Sequence, residues 1–229
     1  MLTSSTGHPS FADVGVTPRR ELQTRNAGWA RLLARQLARL GVRPNAVSIT
    51  SVVCAGAAGF CLAVSPAAGG DTRAALLLAA AALVQLRLLC NLLDGMLAVE
   101  QGLATRNGVL YNEIPDRIAD VLVLAGAGYA AANAPWGAVL GWTAAALALF
   151  TAYIRVFGGS LGLTQSFAGP MAKQHRMFTI TVAAIMSAAE AWLWLPMYAM
   201  RLGLVIVVLG SIVTAARRIH RIAKELEAR

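Results

Sequence analysis

The chain has 229 residues, of which 57% are apolar, and a formal net charge of +9 at pH 7. An apolar fraction this high excludes a soluble domain of that length. The basic residues flank the apolar segments, so we expect them to lie against anionic lipid headgroups, and we expect no nucleic-acid partner.

An amphipathic helix is predicted over residues 26–40, ahead of the first long apolar segment. Its apolar stripe consists of Trp29, Leu32, Leu33, Leu37 and Leu40, and its basic stripe of Arg31, Arg35 and Arg39. This pattern is typical of a helix that lies in the headgroup plane. Two roles stay open for it: an anchor that orients the protein, or a part in admitting a lipid substrate.

Six segments are long and apolar enough to cross a bilayer, which takes about 20 residues. They lie at about 46–65, 74–93, 118–134, 136–157, 177–196 and 200–217. The sequence therefore predicts an all-α integral membrane protein with six transmembrane helices. The predicted divisions are a cytoplasmic tail with the amphipathic helix (1–44), the six-helix membrane domain (45–220) and a charged C-terminal tail (221–229).

The distribution of basic residues predicts the orientation in the membrane. Arginine and lysine are concentrated before the first segment, in the loop 158–176 and after the last segment, whereas only Arg73 and Arg201 lie on the other side. Both termini and the loop 94–116 are therefore predicted to be cytoplasmic. The excess of Arg over Lys and the lack of an organelle transit signal favour a bacterial inner membrane.

Five of the eleven acidic residues lie in the segment 91–120, between two apolar segments. Ionisable groups at a membrane boundary are costly and indicate a function. Asn91 and Asp94 are three residues apart and share one helical face. Asn112, Asp116 and Asp120 follow at intervals of four and share another. Where the two faces meet, we expect an oxygen-rich pocket for a hard divalent cation such as Mg²⁺ or Mn²⁺.

The intervals in this segment resemble those of the CDP-alcohol phosphotransferase family, D-x2-D-G-x2-A-R-x8-G-x3-D-x3-D. The corresponding positions are Asn91, Asp94, Gly95, Ala98, Val99, Gly108, Asn112 and Asp116. An amphipathic helix followed by six spans resembles the family's layout as well. The resemblance implies a metal-dependent membrane enzyme, a homodimer, that transfers a substituted phosphate from a CDP-linked donor to an alcohol and releases CMP. It also implies two divalent metals that bridge the diphosphate.

The same resemblance implies roles for individual residues. Asp94 is expected to be a metal ligand beside the nucleotide, and Asp116 both a metal ligand and the base that deprotonates the acceptor hydroxyl. Gly95 and Gly108 are expected to let the nucleotide and the diphosphate approach the backbone. Ala98 is expected to leave room for the nucleotide.

Three positions depart from the family's pattern: Asn91 and Asn112 stand where it has aspartate, and Val99 where it has arginine. Asparagine can still offer a carbonyl oxygen to a metal, but each exchange removes one negative charge. We therefore expect a single metal ion rather than two, with the diphosphate supplying its remaining ligands. The alternative for the two asparagines is an ordinary hydrogen bond between helices.

Asp120 lies one turn beyond Asp116, and we expect it to help hold the metal. Its alternative is an ion pair with Arg87 or Arg117. Arg87 itself is expected either to meet an anionic substrate or to neutralise Asp120. Glu113 is predicted to point about 100° away from the position of Asn112 on an ideal helix.

Further basic residues are candidates for binding the acceptor, especially a phosphate that it carries. Besides Arg87 they are Arg155, Lys173, His175 and Arg176, at the ends of the fourth and fifth spans. The alternative is that these residues only set the orientation of the protein in the membrane. Glu190 is predicted in the middle of the fifth span, where protonation, packing against Trp192 or Trp194, and a functional role all stay open.

Three functions follow from these patterns. The first is transfer of a phosphatidyl group from a CDP-linked lipid, such as CDP-diacylglycerol, to a small polar alcohol. The second is a catalytically degenerate relative that binds lipid or nucleotide, suggested by the missing carboxylates and by Val99. The third is an ion-coupled transporter, which the absence of internal repeats disfavours.

Overall fold

The computed structural model of the protein describes residues 28–99, 102, 108–131, 135–165, 169–195 and 198–228, without the side chains of residues 109 and 112. The regular secondary structure within these ranges is all helical. The helices are α1 (Gly28–Arg39), α2 (Pro44–Val64), α3 (Gly70–Val99), α4 (Gly108–Ala130), α5 (Gly137–Ser160), α6 (Lys173–Trp192) and α7 (Ala199–Glu227). A short 3₁₀ helix, Ser65–Ala67, connects α2 to α3.

Helices α2 to α7 form a closed ring. The order around it is α2, α3, α6, α7, α5, α4 and back to α2, and α1 packs on the outside of α3. The interior is lined mostly by alanine, which lets neighbouring helices approach closely. This topology places the C-terminal half of α3 and the N-terminal half of α4 beside each other at one end of the ring.

Four of the described helical segments are long and apolar enough to cross a membrane: Pro44–Ala67, Gly70–Val99, Gly137–Ser160 and Ala199–Glu227. The other two predicted spans are helical but carry charges within their apolar sequence. The charged residues are Glu113, Asp116, Arg117 and Asp120 in α4, and Lys173, Arg176 and Glu190 in α6. The chain is thus an all-helical, multi-pass membrane protein, and the crossing of α4 and α6 stays a prediction.

Two helices extend beyond the predicted membrane spans. Helix α4 begins at Gly108, ahead of the predicted span 118–134, and it includes Asp116 and Asp120, which were predicted to share a helical face; the charges of Glu113 and Asp116 pair with other helices. Helix α7 continues to Glu227, so most of the predicted charged C-terminal tail is helical. An apolar run marks what can lie in lipid, whereas a helix also includes turns whose charges are paired.

Helix α1 is amphipathic as predicted, and its apolar residues divide into two groups. Leu33 and Leu37 pack against α3, next to the buried Ala30 and Ala34. The side chains of Trp29, Leu32 and Leu40 are exposed. Gly41, with φ of 73°, ends the helix in the left-handed conformation that glycine adopts without strain.

Glu190 lies near the C-terminal end of α6, because α6 ends at Trp192 and not at the predicted residue 196. Its carboxylate accepts hydrogen bonds from the backbone N–H groups of Tyr198, at 3.2 Å, and Ala199, at 3.0 Å. N–H groups at a helix start have no partner within the helix. Glu190 therefore caps α7, and its predicted place in mid-span is wrong.

Glycine pairs bring α4 into backbone contact with its two neighbours. A Cβ atom on Gly126 of α4 would lie 2.6 Å from the Cα atom of Gly59 on α2. A Cβ atom on Gly128 would lie 2.7 Å from the Cα atom of Gly141 on α5. No real Cβ atom fits at such distances, so these glycines set the separation of the three helices.

We predict that Gly126→Ala lowers stability by about 1–3 kcal/mol, since the added methyl group must push α4 away from α2. Gly56→Ala is the matched control: its Cβ atom would meet only the Leu122 side chain, at 3.8 Å. Thermal unfolding of the purified proteins in detergent measures both. Equal melting temperatures for the two variants would contradict the packing described.

Candidate active site

The polar faces of α3 and α4 meet, as their spacing predicts. The Asn91 side-chain amide of α3 donates a hydrogen bond to Oδ1 of Asp116 on α4, at 2.8 Å. Asp94 lies one turn further along α3, and its carboxylate is within electrostatic range of Asp116. The two halves of the motif thus line one site. The side chain of Asn112 lies outside the described part of the structure.

Asp94 is buried, with only 5% of its surface exposed. Its Oδ2 atom accepts a hydrogen bond from the Ser48 hydroxyl of α2, at 2.6 Å. Its Oδ1 atom is also buried and has no hydrogen-bond partner among the described residues. An unsatisfied carboxylate oxygen in a helix bundle is costly, so this atom is available for a ligand that brings positive charge.

Asp116 is held from three sides. Besides the amide of Asn91, its Oδ1 atom receives an ion pair from the Lys173 ammonium at the start of α6. The Arg87 guanidinium lies 3.7 Å from the same oxygen and donates to the backbone carbonyl of Asp116, at 3.3 Å. Within the described part of the chain, the contacts of this carboxylate all involve Oδ1. Its Oδ2 atom accepts no hydrogen bond from the described residues.

Asp120, one turn deeper in α4, is 1% exposed and joins two arginines. Its Oδ1 atom accepts from Arg87, at 2.7 Å, and its Oδ2 atom from Arg176 of α6, at 2.9 Å. Arg176 also donates to the Thr151 hydroxyl of α5, at 3.2 Å, and to the Met171 carbonyl, at 3.1 Å. The predicted ion pair with Arg87 is confirmed, and the role of Asp120 as a metal ligand stays a prediction.

The basic residues predicted to bind the acceptor do not form a single group. Lys173 and Arg176 pair with the carboxylates of α4. Arg155 donates two hydrogen bonds to Glu113, at 2.8 and 2.7 Å, and His175 is exposed. Glu113 also accepts a hydrogen bond from Arg117, four residues further along α4, and neither partner was predicted.

The residues predicted to face the nucleotide lie where α3 ends and α4 begins. Gly95 and Ala98 are half-buried in the last turns of α3, and Gly108 is the first residue of α4. Val99, at the position where the family has arginine, is 59% exposed and is the last residue of α3. Gly95 and Ala98 thus follow Asp94 directly along α3.

The donor atoms at the site are oxygens, of the kind that a hard divalent cation prefers. Among the described residues there is no group of three or more His, Cys, Asp and Glu side chains arranged to hold a metal. Asp94 offers a buried carboxylate oxygen without a hydrogen-bond partner, and Asp116 lies within electrostatic range of it. Mg²⁺ and Mn²⁺ prefer oxygen ligands and accept phosphate oxygens from a substrate as part of their shell. Two protein carboxylates with a diphosphate satisfy that preference.

A scan against protein-family models finds no match, and a search of curated proteins finds none either. Solved structures do match. The chain resembles phosphatidylinositol phosphate synthase of Mycobacterium tuberculosis with CDP-DAG bound, with a TM-score of 0.71 and 24% identity, over 86% of this chain and 94% of that one.

Two further structures of the same synthase match as well. The complex with manganese and citrate has a TM-score of 0.69 and 23% identity, over 84% of this chain and 88% of the synthase. The apo form has a TM-score of 0.65 and 24% identity, over 82% and 93%. The chain shares their fold. These structural neighbours are members of the CDP-alcohol phosphotransferase family, which the motif resembles.

We predict that Asp120→Asn destabilises the protein by about 3–5 kcal/mol, because it leaves two buried guanidinium groups without their anion. The matched control is Asp71→Asn at the exposed N-terminal end of α3, which should cost at most about 1 kcal/mol. Thermal unfolding in detergent compares the two. A smaller loss for Asp120→Asn than for Asp71→Asn would contradict the network.

Proposed function

We propose that the protein transfers a phosphatidyl group from a CDP-linked lipid, such as CDP-diacylglycerol, to the hydroxyl of a small polar alcohol and releases CMP. One observation carries the proposal. Asn91, Asp94 and Asp116 stand at the motif positions of the phosphotransferases, and they converge in a fold shared with a synthase solved with CDP-DAG bound. A phospholipid product also suits an active site built between helices of a membrane protein.

Asp94 is proposed to hold the divalent cation through its unpartnered Oδ1 atom, while the Ser48 hydroxyl fixes the other oxygen at 2.6 Å. This bond sets the orientation of the carboxylate before any substrate binds. When bound, Mg²⁺ or Mn²⁺ neutralises charge on the diphosphate and stabilises the leaving oxygen of CMP. A synthase of the same fold has been solved with manganese, which supports a divalent metal.

Asp116 is proposed to be the general base. Its Oδ1 atom is fixed by Asn91 and Lys173, whereas its Oδ2 atom accepts no hydrogen bond from the described residues and is proposed to take the proton. The acceptor hydroxyl gives its proton to Oδ2 while its oxygen forms a bond to the lipid-bearing phosphorus. The bond from that phosphorus to the CMP oxygen breaks, and CMP leaves with the electron pair. A carboxylate held within hydrogen-bond reach of the hydroxyl meets the geometric requirement for this role.

The remaining contacts of the substrates belong to the proposal as well. Gly95 and Ala98, in the last turns of α3, and Gly108, at the start of α4, are proposed to line the nucleotide site. Arg155 is a proposed contact of the acceptor, with Glu113 fixing its guanidinium. We further propose a homodimer in a bacterial inner membrane, with both termini in the cytoplasm.

A second function is favoured by the same ion pair. Because Lys173 neutralises Asp116, a relative that binds CDP-diacylglycerol without turning it over is also consistent with this site. Calorimetry with CDP-diacylglycerol and Mn²⁺ separates the two functions. Metal-dependent binding without CMP release, across a panel of polar alcohols, would favour the binding protein over the transferase.

We predict that Asp116→Asn lowers the rate of CMP release from CDP-diacylglycerol by about 10²–10⁴-fold, since the hydroxyl then loses its base. Asp94→Asn should abolish release by removing the proposed metal ligand. Both variants keep the shape of the side chain, and Asp71→Asn, outside the site, serves as control. Turnover at the control's rate in both variants would rule out the assigned chemistry.

We predict that the acceptor is found among small polar alcohols, with a phosphate-bearing alcohol favoured by Arg155 and the neighbouring basic residues. Radiolabelled alcohols are offered with CDP-diacylglycerol and Mn²⁺, and the lipid products are separated by chromatography. A radiolabelled lipid that forms together with CMP identifies the acceptor. Equal incorporation of charged and uncharged alcohols would contradict a phosphate contact.

A further inference from the structure

We propose that the Lys173 ammonium, together with the Asn91 amide, takes the place of a second divalent cation at Asp116. The protein would then work with a single metal held beside Asp94. This inference rests on the proposed function, because it concerns how the same site balances the charge of the diphosphate.

Asn91 removes the need for a cation between α3 and α4. Its amide N–H donates to Oδ1 of Asp116 at 2.8 Å, which is an ordinary hydrogen-bond distance. An aspartate at position 91 would put a second carboxylate against Asp116, and two like charges in a bundle repel unless a cation lies between them. With asparagine the two side chains attract each other directly.

Lys173 supplies the positive charge at this point. It is the first residue of α6, where the helix dipole disfavours a cation. Its side chain is 24% exposed and its ammonium forms an ion pair with Oδ1 of Asp116. The ion pair with Asp116 explains why a lysine lies at this helix start, because its attraction offsets the unfavourable helix dipole. The ammonium thus contacts the same oxygen of Asp116 to which Asn91 donates, and it supplies there the positive charge that a metal would otherwise bring.

The charges around the site already cancel without a metal. Three cations and three anions form the cluster: Arg87, Lys173, Arg176, Asp94, Asp116 and Asp120. Asn112 adds no charge. One divalent cation is then matched by the diphosphate of the donor, whereas a second would leave two positive charges uncompensated in a low-dielectric interior. The unpartnered Oδ1 atom of Asp94 marks the side on which the single metal binds.

The test counts bound Mn²⁺ per chain in the detergent-purified protein with CDP-diacylglycerol and no acceptor. The electron paramagnetic resonance signal of free aqueous Mn²⁺ measures what stays unbound during a titration. We expect one bound ion in the natural protein. We expect two in the double variant Asn91→Asp, Lys173→Met, with the spectral broadening of two neighbouring Mn²⁺ ions.

Two control variants separate the role of Lys173 from a general loss of charge. Lys224→Met removes an exposed lysine in the last turns of α7 and should leave the count at one. Lys173→Arg keeps the cation and should leave it at one as well. Two ions in the natural protein, or one ion in a folded double variant, would overturn the inference.

The inference and the proposed function can fail separately. CMP release from a protein that binds two Mn²⁺ ions would support the transferase and reject the role of Lys173. One bound ion without CMP release would support Lys173 and reject the transferase. If the double variant does not fold, the number of Mn²⁺ ions bound by the natural protein still tests the inference. Zero bound ions would also reject it.

Discussion

Asp120 accepts hydrogen bonds from two guanidinium groups at once, and these bonds join α3, α4 and α6 deep in the ring. Arg87 extends the network to the backbone carbonyl of Asp116, and Arg176 extends it to Thr151 on α5. Charges so completely buried are tolerated only when each has its partner. The network therefore fixes the relative position of the helices that carry the site, and the separation of Asp94 from Asp116 depends on it.

Glycine contacts fix the position of α4 against α2 and α5. Helix α4 touches α2 at Gly126 and α5 at Gly128, where any side chain would separate the backbones. Close backbone contact provides van der Waals packing, which is the main source of helix association in lipid. Polar contacts at one end of α4 and glycine contacts further along it thus hold one helix in a single position, and Asp116 with it.

The residues that share a face of one helix were predicted from the sequence, because their spacing alone determines it. Intervals of three and four placed Asn91 with Asp94 and Asp116 with Asp120, and the bond between Asn91 and Asp116 follows from those faces. Partners that come from α2 and from the start of α6 were not predictable. Ser48 reaches Asp94 across 46 residues, and Lys173 reaches Asp116 from another helix, because only the order of helices around the ring brings them together.

The central claim is that Asp94 on α3 holds one cation beside the diphosphate, in a site that it shares with Asp116 on α4. Anomalous diffraction from crystals grown with Mn²⁺ and CDP-diacylglycerol tests it directly. The account predicts a manganese peak in contact with Asp94, between the diphosphate and the Asp116 side of the site. A peak elsewhere, or Asp94 and Asp116 turned away from each other, would contradict it.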